Sequence, residues 1–230
     1  EFDPEDALRQ PYKPELYDLF LKLEFTKLIK KYNLAPSTAA PEPAAVTCDE
    51  DHITTVETAV TDEDAARYLA LWRRASHVAV YGLPDLSVMA AACEVDEQHS
   101  LTVILQSNRF GGDWETLLRQ LFSPDIRKLA HNVKDMIRAL LERGIHADGF
   151  IFDTALAGYL LDATAGGYDL PRLFMGYCGA ELPAPAHLEP DAFSPLGSNP
   201  AAEAALCSYA SAIDALYGML PPKLEALNMT

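Results

Sequence analysis

An α/β domain with a mixed sheet flanked by helices is the fold class this sequence predicts, and three observations carry it. Three strand candidates follow one another between residues 77 and 106, the last two joined by an acidic turn. Beyond residue 127, short apolar runs alternate with stretches of helical period. Hydrophobic residues make up 49% of the 230, enough for one substantial core plus an appendage, or for two small domains. Strands in a run, then strands alternating with helices, give a sheet that is partly antiparallel and partly parallel.

Residues 1–34 read as a short helical appendage. Leu16, Leu19, Phe20 and Leu23 recur at i, i+3, i+4 and i+7 after Pro14, and Phe25, Leu28, Ile29 and Tyr32 repeat that spacing out of phase. The slip at Glu24 predicts two short helices meeting at a turn, with Lys22, Lys27, Lys30 and Lys31 on a solvated face. Residues 35–51, APSTAAPEPAAVTCDED, have no apolar period and form a Pro/Ala-rich linker.

The globular part spans residues 52–230. Ile53 to Thr58 suits an edge strand, and Thr61 can cap a helix carrying Ala65, Tyr68, Leu69 and Trp72, with Asp62, Glu63 and Asp64 in its first turn. Strands follow over His77 to Leu83, Leu86 to Val95 and Leu101 to Gln106, then a helix from Asp113 to Leu121. A strand over Lys128 to His131 leads into a helix whose Val133, Met136, Ile137, Leu140 and Leu141 form one continuous buried face. Asp153 or Thr154 can cap the helix bearing Leu156, Tyr159, Leu160 and Leu161, and Asp169 the helix of Leu170, Leu173 and Phe174. Five prolines between residues 180 and 200 predict a loop. Pro200 then opens a long helix through Leu206, Tyr209, Ile213, Leu216 and Leu220, which Pro221 and Pro222 end or kink.

Composition excludes several classes of function. No long apolar run offers a membrane span, and EFDPEDALRQPYKPE lacks the form of a secretory signal, so a cytoplasmic protein is expected. A net charge of −16 argues against strong DNA binding by this segment alone, because affinity for phosphates needs a basic surface. The four cysteines, Cys48, Cys93, Cys178 and Cys207, form no C-x-x-C pair and read as reduced structural thiols. Six scattered histidines make no H-x-x-x-H pair, and Gly111-Gly112 lacks the context of a phosphate loop.

The stretch RKLAHNVKDMIRALLERGIHADGFIFDTALAGYLL, residues 127–161, resembles one family closely. In its order K-L-A-H-N-x-K-D, a glycine, then F-D-T and Y-L-L-D, it is similar to the 3′→5′ exonuclease domain of bacterial family A DNA polymerases, the DNA polymerase I type. Residues 1–34 resemble the end of the 5′-nuclease domain that precedes it. The resemblance implies a ribonuclease-H-like, DnaQ-type exonuclease fold and a parent enzyme, a DNA-directed nucleotidyltransferase, acting in DNA replication and repair. It places a polymerase domain C-terminal to this chain, with DNA bound through that domain and Mg²⁺ required only there. A monomer is expected.

Nucleases of this family hold two divalent metals with four carboxylates, one metal activating water and the other steadying the leaving oxygen. The resemblance carries those positions onto this sequence one by one. The family's Asp-x-Glu on the first sheet strand falls on Tyr81 and Leu83, and the Asp four residues after Asn132 falls on Met136. The Asp four residues after Tyr209 falls on Ile213. Asn132, Asp153 and Tyr209 are retained motif residues, so the framework persists without its ligands. The expectation is a domain with no catalytic residues and no metal, whose old cleft is partly filled by Tyr81, Leu83, Met136 and Ile213. The alternatives are an active exonuclease using the displaced acids Asp85, Asp135 and Asp214, the last two shifted by one residue of helix, about 100°, or a stand-alone interaction module.

Overall fold

In the computed structural model the described residues are 20, 53–194 and 197–229. The expected helical appendage and linker lie outside them, Phe20 apart. The elements run in the order β1 (Ile53–Ala59), α1 (Asp62–Trp72), β2 (Val78–Gly82), β3 (Val88–Glu94), β4 (His99–Gln106), α2 (Trp114–Leu121) and β5 (Lys128–Ala130). Then come α3 (Val133–Glu142), β6 (Phe150–Asp153), α4 (Thr154–Leu161), α5 (Leu170–Cys178), a two-stranded ribbon of β7 (Phe193–Ser194) and β8 (Gly197–Ser198), and α6 (Pro200–Ala226). Residues 53–229 fall in one compact unit.

The main sheet has the order β1-β4-β3-β2-β5-β6. β4, β3 and β2 form the antiparallel meander, while β1 joins β4 in parallel and β5 and β6 extend β2 in parallel. The mixed sheet read from the sequence is therefore present, with β1 at an edge as expected.

Strand alternation divides the core between the two faces of the sheet. Val78 and Val80 of β2, Met89, Ala91 and Cys93 of β3, and Val103 and Leu105 of β4 pack with α1, α2 and α3. Ala79, Val88, Ala90, Ala92 and Ile104 point the other way, into the layer formed by α4, α5 and α6. The second face is built from small side chains, and α6 answers it with the fully buried Ala202, Ala205 and Ala210. Alanine against alanine lets the helix backbone approach the sheet closely, which fixes its height above β2.

Helix starts follow the capping residues. Thr61 and Asp64 form a reciprocal capping box on α1, and the hydrogen bond from the Thr61 side chain holds the Asp64 carboxyl below its usual range. Asp113, Asp153, Asp169 and Asn199 accept from first-turn amides of α2, α4, α5 and α6.

Three expectations are corrected. Leu141 is 50% exposed and lies off the buried stripe, which Met136 and Leu140 form, because α3 ends at Glu142 and the chain turns away through Arg143 and Gly144 (φ 68). Residues 180–200 are more than a loop, holding two short 3₁₀ turns and the β7–β8 ribbon. α6 also runs through Pro221 and Pro222 to Ala226, since buried Leu220 and Leu224 hold it down on both sides of the prolines. Cys93 and Cys178 are buried and Cys207 half-buried, and burial pushes all three thiols up to about 11.

Lys128 is a charged residue at the centre of this packing, with no exposed surface. Its Nζ donates to the carbonyls of Ser123 (2.7 Å) and Ile126 (2.6 Å) and sits 6.0 Å and 5.7 Å from the ring centres of Phe122 and Phe150. Burial lowers its pKa to about 8, against the pull of Asp148 and Asp125. A neutral amine keeps both hydrogen bonds, so shedding the proton relieves the native state. Between pH 8 and 10.5 the unfolded chain binds the proton that the folded chain has lost, and stability must rise with pH through that window. Urea unfolding of wild type and Lys128→Met across it tests this. Wild type is expected to gain on the order of 2 kcal/mol relative to the variant.

Candidate functional site

A cleft of about 440 Å³ opens at the carboxyl end of β2, between the turn that follows it and the first turns of α3. Tyr81, Leu83 and Leu86 form one wall, and His131, Asn132, Asp135 and Met136 form the other. This is the end of a sheet strand beside a helix start, where open α/β folds assemble their sites.

One side chain assembles the cleft's far wall. The Asp153 carboxylate, at the end of β6, accepts from the backbone amides of Asn132 (3.0 Å) and Val133 (2.9 Å) at the start of α3. The same carboxylate accepts from Ala155 (2.9 Å) and Leu156 (3.3 Å) at the start of α4. One anion thus satisfies orphan donors at two helix N-termini, both of which favour negative charge. Asn132 makes the geometry possible by taking the left-handed conformation (φ 55), which asparagine tolerates better than most residues. Beside it, the His131 Nδ1 and the Thr154 hydroxyl share a 2.8 Å hydrogen bond, and burial lowers the imidazole pKa, favouring the neutral ring.

The positions that match the family's carboxylates lie as follows. Leu83 is 2% exposed, Met136 8% and Ile213 0%. Tyr81 packs with its ring 4.8 Å from that of Tyr209 and tilted 54° to it, and burial pushes its hydroxyl up to about 12. Tyr209 is buried and donates its own hydroxyl to the Pro183 carbonyl (3.0 Å). Tyr81, Leu83 and Met136 line the cleft, whereas Ile213 packs beneath α6 and does not fill it as expected. The four side chains present a single oxygen, a phenol, where a hard divalent cation takes several.

The displaced acids do not come together. Asp85 closes its own turn, accepting from the Ser87 amide (3.0 Å) and hydroxyl (2.7 Å). Asp135 accepts from the side chain of Asn132 at the cleft wall. Asp214 lies toward the opposite end of β2, 2.8 Å from the His77 Nε2. Among the described residues no three His, Cys, Asp or Glu side chains are grouped to hold a metal ion.

Two cleft residues were missed from the sequence, Arg138 and Glu142, which pair at 3.1 Å. Their signal was present, since Asp135, Arg138 and Glu142 fall at i, i+3 and i+7 on one face of α3. Seven residues of helix separate the two carboxylates by about 10 Å along the axis, too far to share an ion. Leu86 takes φ 57, a conformation costly for a leucine, while its side chain is 1% exposed against the cleft floor. Arg143 braces that turn, donating to the Asp85 carbonyl and to Glu115 (both 2.7 Å).

No family model matches the chain. It is 22% identical over 173 residues to the DNA polymerase I of Caldicellulosiruptor bescii, covering 75% of this chain and 18% of the relative. Among solved structures it is similar to the POL domain of Pol1 from M. smegmatis in complex with DNA primer-template and dNTP (TM-score 0.57, 20% identity, 75% of this chain and 28% of the other). It is also similar to Escherichia coli RNase D, an exoribonuclease involved in structured RNA processing (TM-score 0.57, 15% identity, 75% and 46%). The chain thus spans under a fifth of the curated relative's length. The comparison with DNA polymerase I bears out the resemblance read from the sequence, and the fold is the ribonuclease-H-like one of 3′→5′ exonuclease domains. No helix among the described residues is long and apolar enough to cross a membrane.

The double cap sets the expected cost of losing Asp153. Asp153→Ala leaves four amides at two helix starts without their acceptor, and is expected to destabilise the fold by about 2–4 kcal/mol. Chemical denaturation measures this directly. A loss below about 0.5 kcal/mol would show that solvent replaces the carboxylate at both helices.

Proposed function

We propose that this chain is a catalytically silent 3′→5′ exonuclease-like domain giving structural support to the polymerase of a DNA polymerase I type parent in DNA replication and repair. The observation that carries the reading is that all four positions matching the family's metal ligands are apolar or aromatic, three of them buried. A two-metal nuclease site needs several convergent oxygens, and a phenol with three hydrocarbon or thioether side chains does not fit that group. No step of hydrolysis is therefore assigned to this domain.

What the domain retains is the framework. Asn132 and Asp153 fix two helix starts, and Tyr209 ties α6 to the Pro183 segment. These contacts preserve shape without requiring a cation. The parent acts as a monomer in the cytoplasm, with Mg²⁺ and nucleotidyl transfer confined to its polymerase domain. DNA contact runs through that domain, in keeping with a net charge of −16 here.

Incubation of a labelled single-stranded oligonucleotide with Mn²⁺ tests the reading, using this chain beside an Asp135→Ala, Asp214→Ala double variant. Neither protein is expected to shorten the oligonucleotide beyond a protein-free control. Degradation by this chain that disappears in the double variant would establish an active site built from the displaced acids, and the silent-domain reading would be wrong.

A further inference from the structure

The turn that joins β2 to β3 sets two forces against each other. Of the three non-glycine residues at positive φ among those described, Leu86 alone is not an asparagine, a residue that tolerates that region. Its φ of 57 drives the turn toward an ordinary backbone conformation. Burial opposes this, because the Leu86 side chain is 1% exposed and belongs to the core layer under α1, α2 and α3. Gly82 gives that side chain its room, since a Cβ there would lie 3.0 Å from the Met89 side chain and 3.6 Å from that of Leu86. The turn's own bonds run within the hairpin, from the Leu86 amide to the Leu83 carbonyl and from the Leu83 amide to the Val88 carbonyl (both 2.9 Å).

Arg143 stands where this balance is tipped. Glu142 lines the cleft and Arg143 follows it, its amide bonded to the Leu140 carbonyl (3.0 Å) at the end of α3. Pro84 and Leu86 line the opposite wall, with Asp85 between them. The bond from Arg143 Nη2 to the Asp85 carbonyl (2.7 Å) therefore ties one wall of the cleft to the other. Nη1 of the same guanidinium donates to Glu115 on α2 (2.7 Å), which fixes its direction with a charge-assisted bond. The second carboxylate oxygen of Glu115 is buried without a hydrogen-bond partner, so that carboxylate depends on the arginine.

We infer that residues 83–87 form a gate on the cleft and that Arg143 is its latch. With the latch made, the turn is held against the end of α3 and the cleft keeps its present width. With the latch broken, Leu86 relaxes to negative φ and the turn swings away from α3, widening the cleft. Opening exposes the Leu86 side chain but releases its backbone, and these opposed terms bring the two states close in free energy. One guanidinium then decides between them. The α3 wall stays in place, because Leu140 and Ile145 are buried on either side of Arg143. The gate operates whether the cleft is silent or active, so it stands apart from the reading proposed above.

Two measurements on the chain with and without Arg143→Met test the inference, that substitution keeping an unbranched apolar stem while removing both bonds. The first is hydrogen exchange at the Leu86 amide. The second is maleimide labelling of Met136→Cys, on the cleft wall and 8% exposed as methionine, in a Cys48→Ser, Cys207→Ser background. Both rates are expected to rise by about tenfold in Arg143→Met, with no change at the amides of β3 and β4. Glu115→Gln, which leaves the arginine but removes its charged anchor, is expected to give a smaller rise at the same two places. Unchanged rates at both places in Arg143→Met would overturn the latch. An equal rise at the β3 and β4 amides would also overturn it, by showing that Arg143 holds the whole fold. Faster exchange at Leu86 without faster labelling at 136 would confine Arg143 to the turn and overturn the gate.

Discussion

Four backbone amides from two helices converge on the carboxylate of Asp153, and the second half of the fold is arranged around that convergence. Strand β6 delivers the side chain, and α3 and α4 begin beside it on opposite faces of the sheet. A neutral acceptor of the same size would leave part of two helix dipoles uncompensated. The carboxylate therefore does at one point what Thr61 with Asp64, Asp113 and Asp169 do separately elsewhere. The sequence around it is accounted for by architecture alone.

The two sheet faces solve the packing problem differently. Under α1, α2 and α3 the side chains are large, and Trp72, Phe122 and Met89 fill the space with almost no exposure. Over the other face, alanine on β2, β3 and α6 brings backbones together, and contact area replaces side-chain bulk. His77 and Tyr81 then mark the two ends of β2, one paired with Asp214 and the other in tilted ring contact with Tyr209. These two contacts set α6 along the strand, so Ile213 between them is driven into the layer and away from the cleft.

What was legible in the sequence follows from locality. Caps such as Thr61, Asp153 and Asp169 act within a few residues, and period-2 and period-3.6 patterns expose the sheet and helices before any tertiary contact is known. The β3–β4 hairpin at Asp96–His99 belongs to the same class. The second role of Asp153 was hidden, because its bonds to Asn132 and Val133 cross 21 and 20 residues. Leu141 was misplaced because a helical stripe says nothing about where the sheet stops covering it. The prolines at 221 and 222 misled for a related reason, since tertiary burial of Leu220 and Leu224 outweighs a local preference. In the cleft, the matched positions could be read by alignment, whereas Arg138 and Glu142 required knowing which face of α3 looks inward.

The burial of Leu83 and Ile213 bears on how the fold would answer a change at either position. Each belongs to a packed layer, and a carboxylate introduced at Ile213 would be an unpaired charge under α6, at a cost of several kcal/mol. A domain's entire margin of stability is about 5–15 kcal/mol, so one such substitution would consume much of it. Leu83, beside the cleft, differs in that a charge there has solvent within reach of one side. The same chemical change thus meets two different media, a sealed layer at one position and the margin of an opening at the other.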